Sequence, residues 1–183
     1  MLKKIFAVML LAVTFAFQVQ VDARMNFQYQ AHIQNYGWLP PVKNGEATGT
    51  TGKNLRMEAV LINLLDGSKN MIQYCAHVQD MGWQSWQTSG GVAGTVGKNL
   101  RLEAICIQLT NGYENKFDIY YRTHIQNYGW LGWAKNGEPA GSSGASLRME
   151  ALQITLVNKG ERFDRGGPAY LEKKNTARGG IRI

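Results

Sequence analysis

Hydrophobic and polar residues alternate at the start of a segment that occurs three times in the chain. In the first copy, residues 27–34 read FQYQAHIQ, and the alternation places four apolar side chains on one face: Phe27, Tyr29, Ala31 and Ile33. A period of two residues is typical of a β-strand with one buried face, because successive side chains point to opposite sides of a sheet. Each copy is therefore predicted to open with a strand.

A second alternating segment closes each copy, and its first example is NLRMEAVLINL, residues 54–64. Strict alternation gives this strand two faces, one with Leu55, Met57 and Ala59 and one with Arg56, Glu58, Val60, Ile62 and Leu64. On this interpretation Arg56 and Glu58 share an apolar face and are partly buried. No segment after residue 23 shows a sustained apolar period of 3.6 residues, so the sequence predicts an all-β protein.

The three copies keep one register. Trp38, Trp83 and Trp130 lie 45 and 47 residues apart, and the same two offsets relate further identical residues. These are Gly49, Gly94 and Gly141; Gly52, Gly97 and Gly144; Arg56, Arg101 and Arg148; and Glu58, Glu103 and Glu150. Such short units cannot each bury an apolar face alone. We therefore expect a single domain, residues 24–165, in which repeats 27–64, 72–109 and 119–156 surround a pseudo-threefold axis.

Two architectures fit this pattern, a β-prism with one small sheet per repeat and a β-trefoil. Long strands at both ends of each repeat favour the prism-like arrangement. Asn44-Gly45 and Asn136-Gly137 predict hairpin turns within repeats. Residues 159–170 resemble the start of a fourth repeat and are expected to supply a closing strand against the first. Residues 166–183 are predicted to form a basic, flexible tail.

The first 23 residues have the layout of a secretory signal peptide: Lys3 and Lys4, an apolar run too short to span a membrane, and small residues before Arg24. The protein is therefore expected to be secreted or attached to a cell surface, without a transmembrane segment in the mature chain. Of the net charge of +7, the segment after residue 158 carries +4, from seven basic and three acidic residues. The excess positive charge therefore lies in a tail and not in a basic patch with interleaved aromatic residues. Because nucleic-acid binding usually uses such a patch, the charge distribution argues against it.

The two cysteines occur together in the second copy. Cys75 aligns with Gln30 and Arg122, and Cys106 aligns with Leu61 and Gln153. Two cysteines that enter one copy as a pair, in an exported protein, predict a disulfide between two strands of that repeat. Two unrelated buried thiols are the alternative.

These residues resemble a known family, the clostridial hydrophobic repeat with an invariant tryptophan, or ChW repeat. The matching elements are HIQNYGW or HVQDMGW, followed by GTTGKNLRMEA, GTVGKNLRLEA or GSSGASLRMEA, over roughly residues 27–156. The resemblance implies an exported or surface protein of a Gram-positive bacterium. It also implies a role in adhesion or in carbohydrate and polymer binding.

Residues that all copies share are interpreted as framework. We expect Trp38, Trp83 and Trp130 to fill the interior, with a sugar-stacking platform as the alternative. We expect each arginine–glutamate pair to be joined by a histidine of the same copy, in a structural network. The histidines are His32, His77 and His124. Three identical catalytic sites in one small domain would be unusual, so the sequence predicts neither an enzyme nor a metal site or cofactor.

Residues that vary between copies are the predicted ligand-binding residues. Trp86 and Trp133 stand where the first copy has Pro41, so we expect them to be exposed. The other candidates are aromatic or polar neighbours: Tyr36, Tyr128, Asn44, Glu46, Asn136 and Glu138. An exposed aromatic ring beside amide and carboxylate groups suits a shallow sugar site. The expected function is non-catalytic binding of a glycan or surface polymer at up to three sites, and the alternative is a protein–protein adhesion or assembly module.

Overall fold

The computed structural model describes residues 26–172, so the predicted signal segment and residues 173–183 lie outside the described part. The first repeat contains β1 (Phe27–Ile33), β2 (Gly37–Trp38), β3 (Val42–Lys43), β4 (Ala47–Gly49) and β5 (Met57–Leu64). The second contains β6 (Ile72–Val78), β7 (Gly82–Trp83), β8 (Gln87–Thr88), β9 (Val92–Gly94) and β10 (Leu102–Leu109). The third contains β11 (Phe117–Ile125), β12 (Gly129–Trp130), β13 (Ala134–Lys135), β14 (Ala140–Ser143) and β15 (Met149–Asn158). A single 3₁₀ turn, Tyr113–Asn115, and the last strand, β16 (Tyr170–Glu172), complete the described elements.

Each repeat provides the centre of one sheet. The two long strands of a repeat pair antiparallel, and its two shortest strands pair with the outer edge of the first long strand. The all-β prediction is confirmed, and three sheets from three tandem repeats are compatible with the prism-like arrangement. Within residues 26–172 no helix is long and apolar enough to cross a membrane.

Neighbouring repeats exchange one strand each. β9 of the second repeat pairs with β5 of the first, β14 of the third pairs with β10 of the second, and β4 of the first pairs with β15 of the third. The exchange therefore runs once around the pseudo-threefold axis and closes on itself.

The interior confirms the alternation predicted for the first long strand. Phe27, Tyr29, Ala31 and Ile33 are buried, and the buried apolar residues of all three sheets form one cluster. The tyrosine of this strand also links repeats: the Tyr29 hydroxyl accepts a hydrogen bond from the backbone N–H of Ile154 at 3.0 Å. Tyr74 does the same with Ile62 at 3.1 Å, and burial raises the pKa of Tyr74 to about 12.

Strict alternation is wrong for the second long strand. His32 lies opposite Ala59, but the next residue, Ile33, lies opposite Met57, so Glu58 is the extra residue of a β-bulge. A bulge reverses the direction of side chains beyond it. Met57 therefore shares the inward face with Val60, Ile62 and Leu64, and Arg56 and Glu58 do not share a face with these apolar residues. The same shift occurs at Glu103 and Glu150.

The Asn-Gly turns are tight, as predicted, but they do not make hairpins. The N–H of Glu46 donates to the carbonyl of Lys43 at 3.0 Å across Asn44-Gly45. The strands on either side, β3 and β4, pair with different sheets, namely those of the first and the third repeat. The turn thus carries the chain from its own sheet to that of its neighbour.

The segment after the third repeat differs from the expectation in two ways. It supplies a strand, β16, but this strand pairs parallel with β14 in the sheet of the second repeat, and not with the first repeat. Residues 166–172 also belong to the ordered fold, with backbone hydrogen bonds that begin at Arg165, so the predicted tail boundary at residue 166 is too early.

Candidate functional site

The invariant tryptophans lie on the outside of the molecule. Trp38 is 36% and Trp83 43% exposed, and Trp130 is half-buried. The prediction that they fill the interior is wrong, because tyrosine, phenylalanine and aliphatic side chains of the long strands fill it. A tight turn at the end of β1 brings the chain back so that Trp38 lies opposite His32, on the outward face.

Each invariant tryptophan stands edge-to-face on the histidine of its own repeat. The ring centroids are 5.4 Å apart in the first two repeats and 5.6 Å apart in the third, with interplanar angles above 80°. Such edge contacts are favourable between aromatic rings and hold the indole in one orientation. The histidine of each repeat therefore holds the indole of that repeat in the same orientation.

The structure brings the predicted His–Glu–Arg network together in all three copies. Histidine Nδ1 lies 3.0–3.1 Å from one glutamate oxygen, and arginine Nη2 lies 2.7–2.8 Å from the other. The residues are His32, Glu58 and Arg56; His77, Glu103 and Arg101; and His124, Glu150 and Arg148. The glutamates are almost fully buried, so their charge is balanced within the network rather than by solvent.

The predicted amide and carboxylate ligands do not lie beside the invariant tryptophans. Asn44 follows β3, which pairs with the first half of β1, whereas Trp38 pairs with its last residues. These positions are about 13 Å apart along the strand. The Asn44 Oδ1 accepts the N–H of Leu156 at 2.8 Å, and a Glu46 oxygen accepts the N–H of Lys43 at 2.9 Å.

The third copy uses the equivalent residues in the same way. Asn136 Oδ1 accepts the N–H of Ile119 at 2.9 Å, and Glu138 accepts the N–H of Lys135 at 3.1 Å. Glu138 also pairs with Arg165. All four polar residues thus stabilise turns in this structure, and their role in ligand binding stays a prediction.

A cleft of about 530 Å³ lies on the third copy. One wall is aromatic and consists of Tyr128, Trp130 and Trp133, with Tyr128 60% exposed. The guanidinium of Arg122 lies between the two indoles, 4.9 Å from the ring centroid of Trp130 and 4.6 Å from that of Trp133. Arginine over an indole face is an attractive arrangement that also fixes the guanidinium.

The opposite wall of the cleft is a segment that follows the third repeat, residues 163–168, here called the C-terminal arm. The carbonyls of Pro168 and Arg165 accept the N–H groups of Gly132 and Trp133 at 2.9 and 2.8 Å. A Cβ on Gly132 would lie 1.8 Å from the carbonyl oxygen of Gly167, so only glycine allows this approach. Phe163 packs edge-to-face on Trp133 at 5.3 Å.

The other two copies present aromatic residues without an arm. In the second copy Met81, Trp83 and Trp86 are 50%, 43% and 44% exposed. In the first copy, Tyr36 is 55% exposed and Lys53 Nζ lies 5.2 Å above its ring. The predicted exposure of Trp86 is therefore found in the structure, whereas Trp133 is half-buried by the arm.

One protein family matches this chain. The sequence profile described as ChW, clostridial hydrophobic W, matches residues 32–66, 77–111 and 124–158, which is more than half of the chain. The chain belongs to the ChW family. Each match spans the histidine, tryptophan, glycine, arginine and glutamate of one copy, so the network described above lies inside the ChW repeat. Comparisons with curated proteins and with solved structures give no match.

The cysteines of the second ChW repeat face each other. Cys75 and Cys106 are directly paired across β6 and β10, and both thiols are buried and free. The hydrogen bond between them lowers the pKa of Cys75 and, together with burial, raises the pKa of Cys106. In the third ChW repeat the same two positions hold Arg122 and Gln153, which are joined by a hydrogen bond of 2.8 Å.

Sequence reasoning missed Arg122 and the arm as parts of the cleft. Arg122 aligns with a cysteine and a glutamine, so it appeared only as the background to the disulfide argument. The arm was predicted to be the start of a fourth repeat because Phe163 and Asp164 match Phe117 and Asp118, which precede the third repeat, but its position could not be inferred. The combination of Gly132 with Gly166-Gly167-Pro168 was the available signal of a close backbone approach.

Proposed function

We propose that this ChW protein binds a glycan or another cell-surface polymer without changing it chemically, and that the cleft of the third repeat is its main site. The cleft itself carries the proposal: two indoles and a phenol form one wall, and a guanidinium lies between the indoles. Aromatic faces pack on the apolar face of a pyranose, while charged donors take hydroxyl or acidic groups. The arm adds Asp164 and Arg165 to the lining, so the concave site combines an aromatic wall with charged groups that can take hydroxyls.

The first and second repeats would add weaker contacts to the same polymer. Their aromatic surfaces are exposed but have no arm facing them, so each buries less of a ligand. Three linked sites on one domain raise the apparent affinity for a repeating polymer through effective concentration. This valency suits a protein that is secreted or held at a cell surface, as the leader-like residues 1–23 suggest.

The experiment is a binding screen on a panel of purified glycans and on isolated cell walls, with variants of single aromatic residues. We expect Tyr128→Ala and Trp133→Ala to raise the Kd at least about tenfold, equivalent to ~1.4 kcal/mol. Trp86→Ala removes an indole from the weaker surface of the second repeat and should change the Kd less than threefold, so it ranks that surface against the cleft. Tyr128 is largely exposed, so its variant should melt like the parent.

Two results would refute the proposal. One is the absence of binding by the parent protein to every glycan and wall preparation. The other is equal loss of binding in the Tyr128 and Trp86 variants, which would remove the special role of the cleft.

A protein partner is the second candidate, and the second repeat favours it. Met81, Trp83 and Trp86 form an exposed apolar surface with no opposite wall in residues 26–172, and tryptophan and methionine are enriched in protein interfaces. Competition by millimolar free sugar separates the two functions. Inhibition indicates glycan binding, and retention on the wall indicates a protein partner.

We also propose that Cys75 and Cys106 form a disulfide when the protein is exported. The two residues are directly opposite in an antiparallel pair, and oxidising compartments permit the bond. Protein purified from an exported fraction should show no titratable thiol in denaturant until it is reduced. Two reactive thiols in that fraction would contradict the bridge, and Cys75→Ser with Cys106→Ser gives the zero-thiol control.

A further inference from the structure

A second pocket lies where the three repeats meet at one end of the molecule. Its volume is about 210 Å³. Nine residues line it, three equivalent ones from each repeat: Gln34, Asn54 and Arg56; Gln79, Asn99 and Arg101; Gln126, Ser146 and Arg148. Equivalent residues of three repeats can line one pocket only on the axis that relates them. The pocket is therefore axial, and it is separate from the cleft of the third repeat.

Three guanidinium groups converge on this pocket in fixed orientations. Arg101 donates from Nε at 2.9 Å and from Nη2 at 2.7 Å to one oxygen of Glu103, and Arg56 and Arg148 hold their glutamates in the same way. The arginine side chains are only 18–21% exposed. Charge-assisted bonds on one side of a guanidinium hold its remaining donors in place before any ligand arrives.

The negative charge of the network lies behind the arginines. Each glutamate uses one oxygen for its arginine and places the other next to a histidine. The nine residues that line the pocket include no carboxylate. The pocket wall therefore presents guanidinium, amide and hydroxyl groups.

The three repeats differ at one position of the pocket. Arg56 donates to the Asn99 side chain at 3.1 Å, and Arg148 donates to Asn54 at 3.2 Å, in each case in a neighbouring repeat. The equivalent acceptor for Arg101 would be residue 146, which is serine. Within residues 26–172 Arg101 makes no side-chain hydrogen bond except to Glu103, and Nη1 of all three arginines makes none. Arginine N–H donors thus remain available on the axis.

We propose that the axial pocket binds one tetrahedral oxyanion of the phosphate or sulfate class, either free or as a group on a polymer. The Nη1 groups of all three arginines remain as donors for the oxygens of such an anion. Arg101 also keeps one N–H on Nη2, so its Nη1/Nη2 fork can take a pair of oxygens. The volume corresponds to roughly seven water molecules at ~30 Å³ each, which is enough for one anion and a few waters. This site does not depend on the proposed glycan function.

The test measures binding of inorganic phosphate and of sulfate by calorimetry and by thermal shift, against sodium chloride of equal ionic strength. A soluble polyphosphodiester forms a separate arm and shows whether a polymer-linked group also binds. We expect one saturable site per chain. Arg101→Gln should weaken binding at least about tenfold, and Lys43→Gln, which removes one exposed positive charge far from the axis, should not change it.

A second variant keeps both the charge and the fold. Ser146→Asn places at residue 146 the amide that Asn54 and Asn99 already provide, so it should occupy Arg101 and weaken anion binding severalfold without lowering the melting temperature. Saturable, Arg101-dependent binding of the free anion or of the polymer supports the proposal. Stabilisation no greater than that given by chloride, or equal losses in the Arg101 and Lys43 variants, overturns it.

Discussion

Asp118 shows how one residue can connect separate parts of the third repeat. Its carboxylate is 1% exposed and lies 2.9 Å from Lys135 Nζ, 2.9 Å from Lys159 Nζ and 2.7 Å from Asn136 Nδ2. Burial by itself raises the pKa of Asp118, but hydrogen bonds from Lys159, Asn136 and Lys135 and from the N–H of Gly160 outweigh it and hold this pKa well below its usual range. The first two repeats have Asn26 and Met71 at the equivalent position.

The lowered pKa gives a stability that depends on pH. An ionised Asp118 stabilises the fold above its unfolded pKa of about 3.9, and this contribution is lost as the pH falls below that value. Asp118→Asn should lower the free energy of unfolding by about 1–3 kcal/mol at pH 7. Urea denaturation at pH 7 and pH 3 should show the difference between parent and variant shrinking at the lower pH, and a constant difference would contradict the assignment.

At the scale of single elements, the bulge in each second strand explains the first glycine of the Gly-x-x-Gly pair. The exchanged strand crosses the bulge of its neighbour, and the Thr95 N–H donates to the Glu58 carbonyl at 2.8 Å. A Cβ on Gly94 would lie 2.4 Å from that same carbonyl oxygen, whereas a Cβ on Gly97 would meet nothing within 4 Å. Both glycines have positive φ, 111° and 75°. The two invariant glycines therefore exist for different reasons.

Two alanine substitutions separate the effect of a positive φ from the effect of the close backbone approach. Gly97→Ala should lower the free energy of unfolding by about 1–2 kcal/mol, the usual penalty for a left-handed backbone with a Cβ. Gly94→Ala should lower it by at least twice as much, because it adds a collision with the backbone of the neighbouring repeat. Thermal unfolding of the two variants makes the comparison, and equal shifts would show that the close approach does not limit the fold.

Local patterns predicted the elements well and their partners poorly. The alternation from Phe27 to Ile33 gave the buried face of β1, since burial of one face is a property of the strand itself. The bulge at Glu58 was missed because Arg-x-Glu reads as regular alternation until the opposite strand is known. The Asn44-Gly45 turn was recognised, but its role in strand exchange depends on a strand more than 100 residues away.

The same distinction applies to the candidate site. Variation between copies correctly pointed to an exposed Trp86, because a core position would not accept Pro41 in another copy. It did not reveal that the Asn44 and Asn136 amide oxygens accept backbone N–H groups, since a polar turn residue looks the same in sequence whether its amide faces a ligand or the backbone. The invariant tryptophans were predicted to lie in the interior because they are identical in all copies. Such identity is equally expected of a core residue and of a surface residue that each copy needs.

At the scale of the whole molecule, three kinds of contact join neighbouring repeats in the same order. These are the exchanged strands, the tyrosine hydroxyls that bond to a neighbour's backbone, and the arginine–asparagine bonds at the axis. Each repeat therefore gives a strand to one neighbour and receives a strand from the other. In every repeat, its own short strands pair with the outer edge of the first long strand, but a neighbour's strand must pair with the outer edge of the second.

The closed exchange of strands fixes the number of repeats. In a solenoid, an added unit stacks on the end and contacts only one neighbour, so such arrays lengthen one unit at a time. Here a fourth unit would find no strand to receive and no sheet to complete. The loss of one unit would leave one long strand with an open edge and one exchanged strand without its partner. Growth of such a protein by duplication should therefore proceed in sets of three, each set forming its own ring.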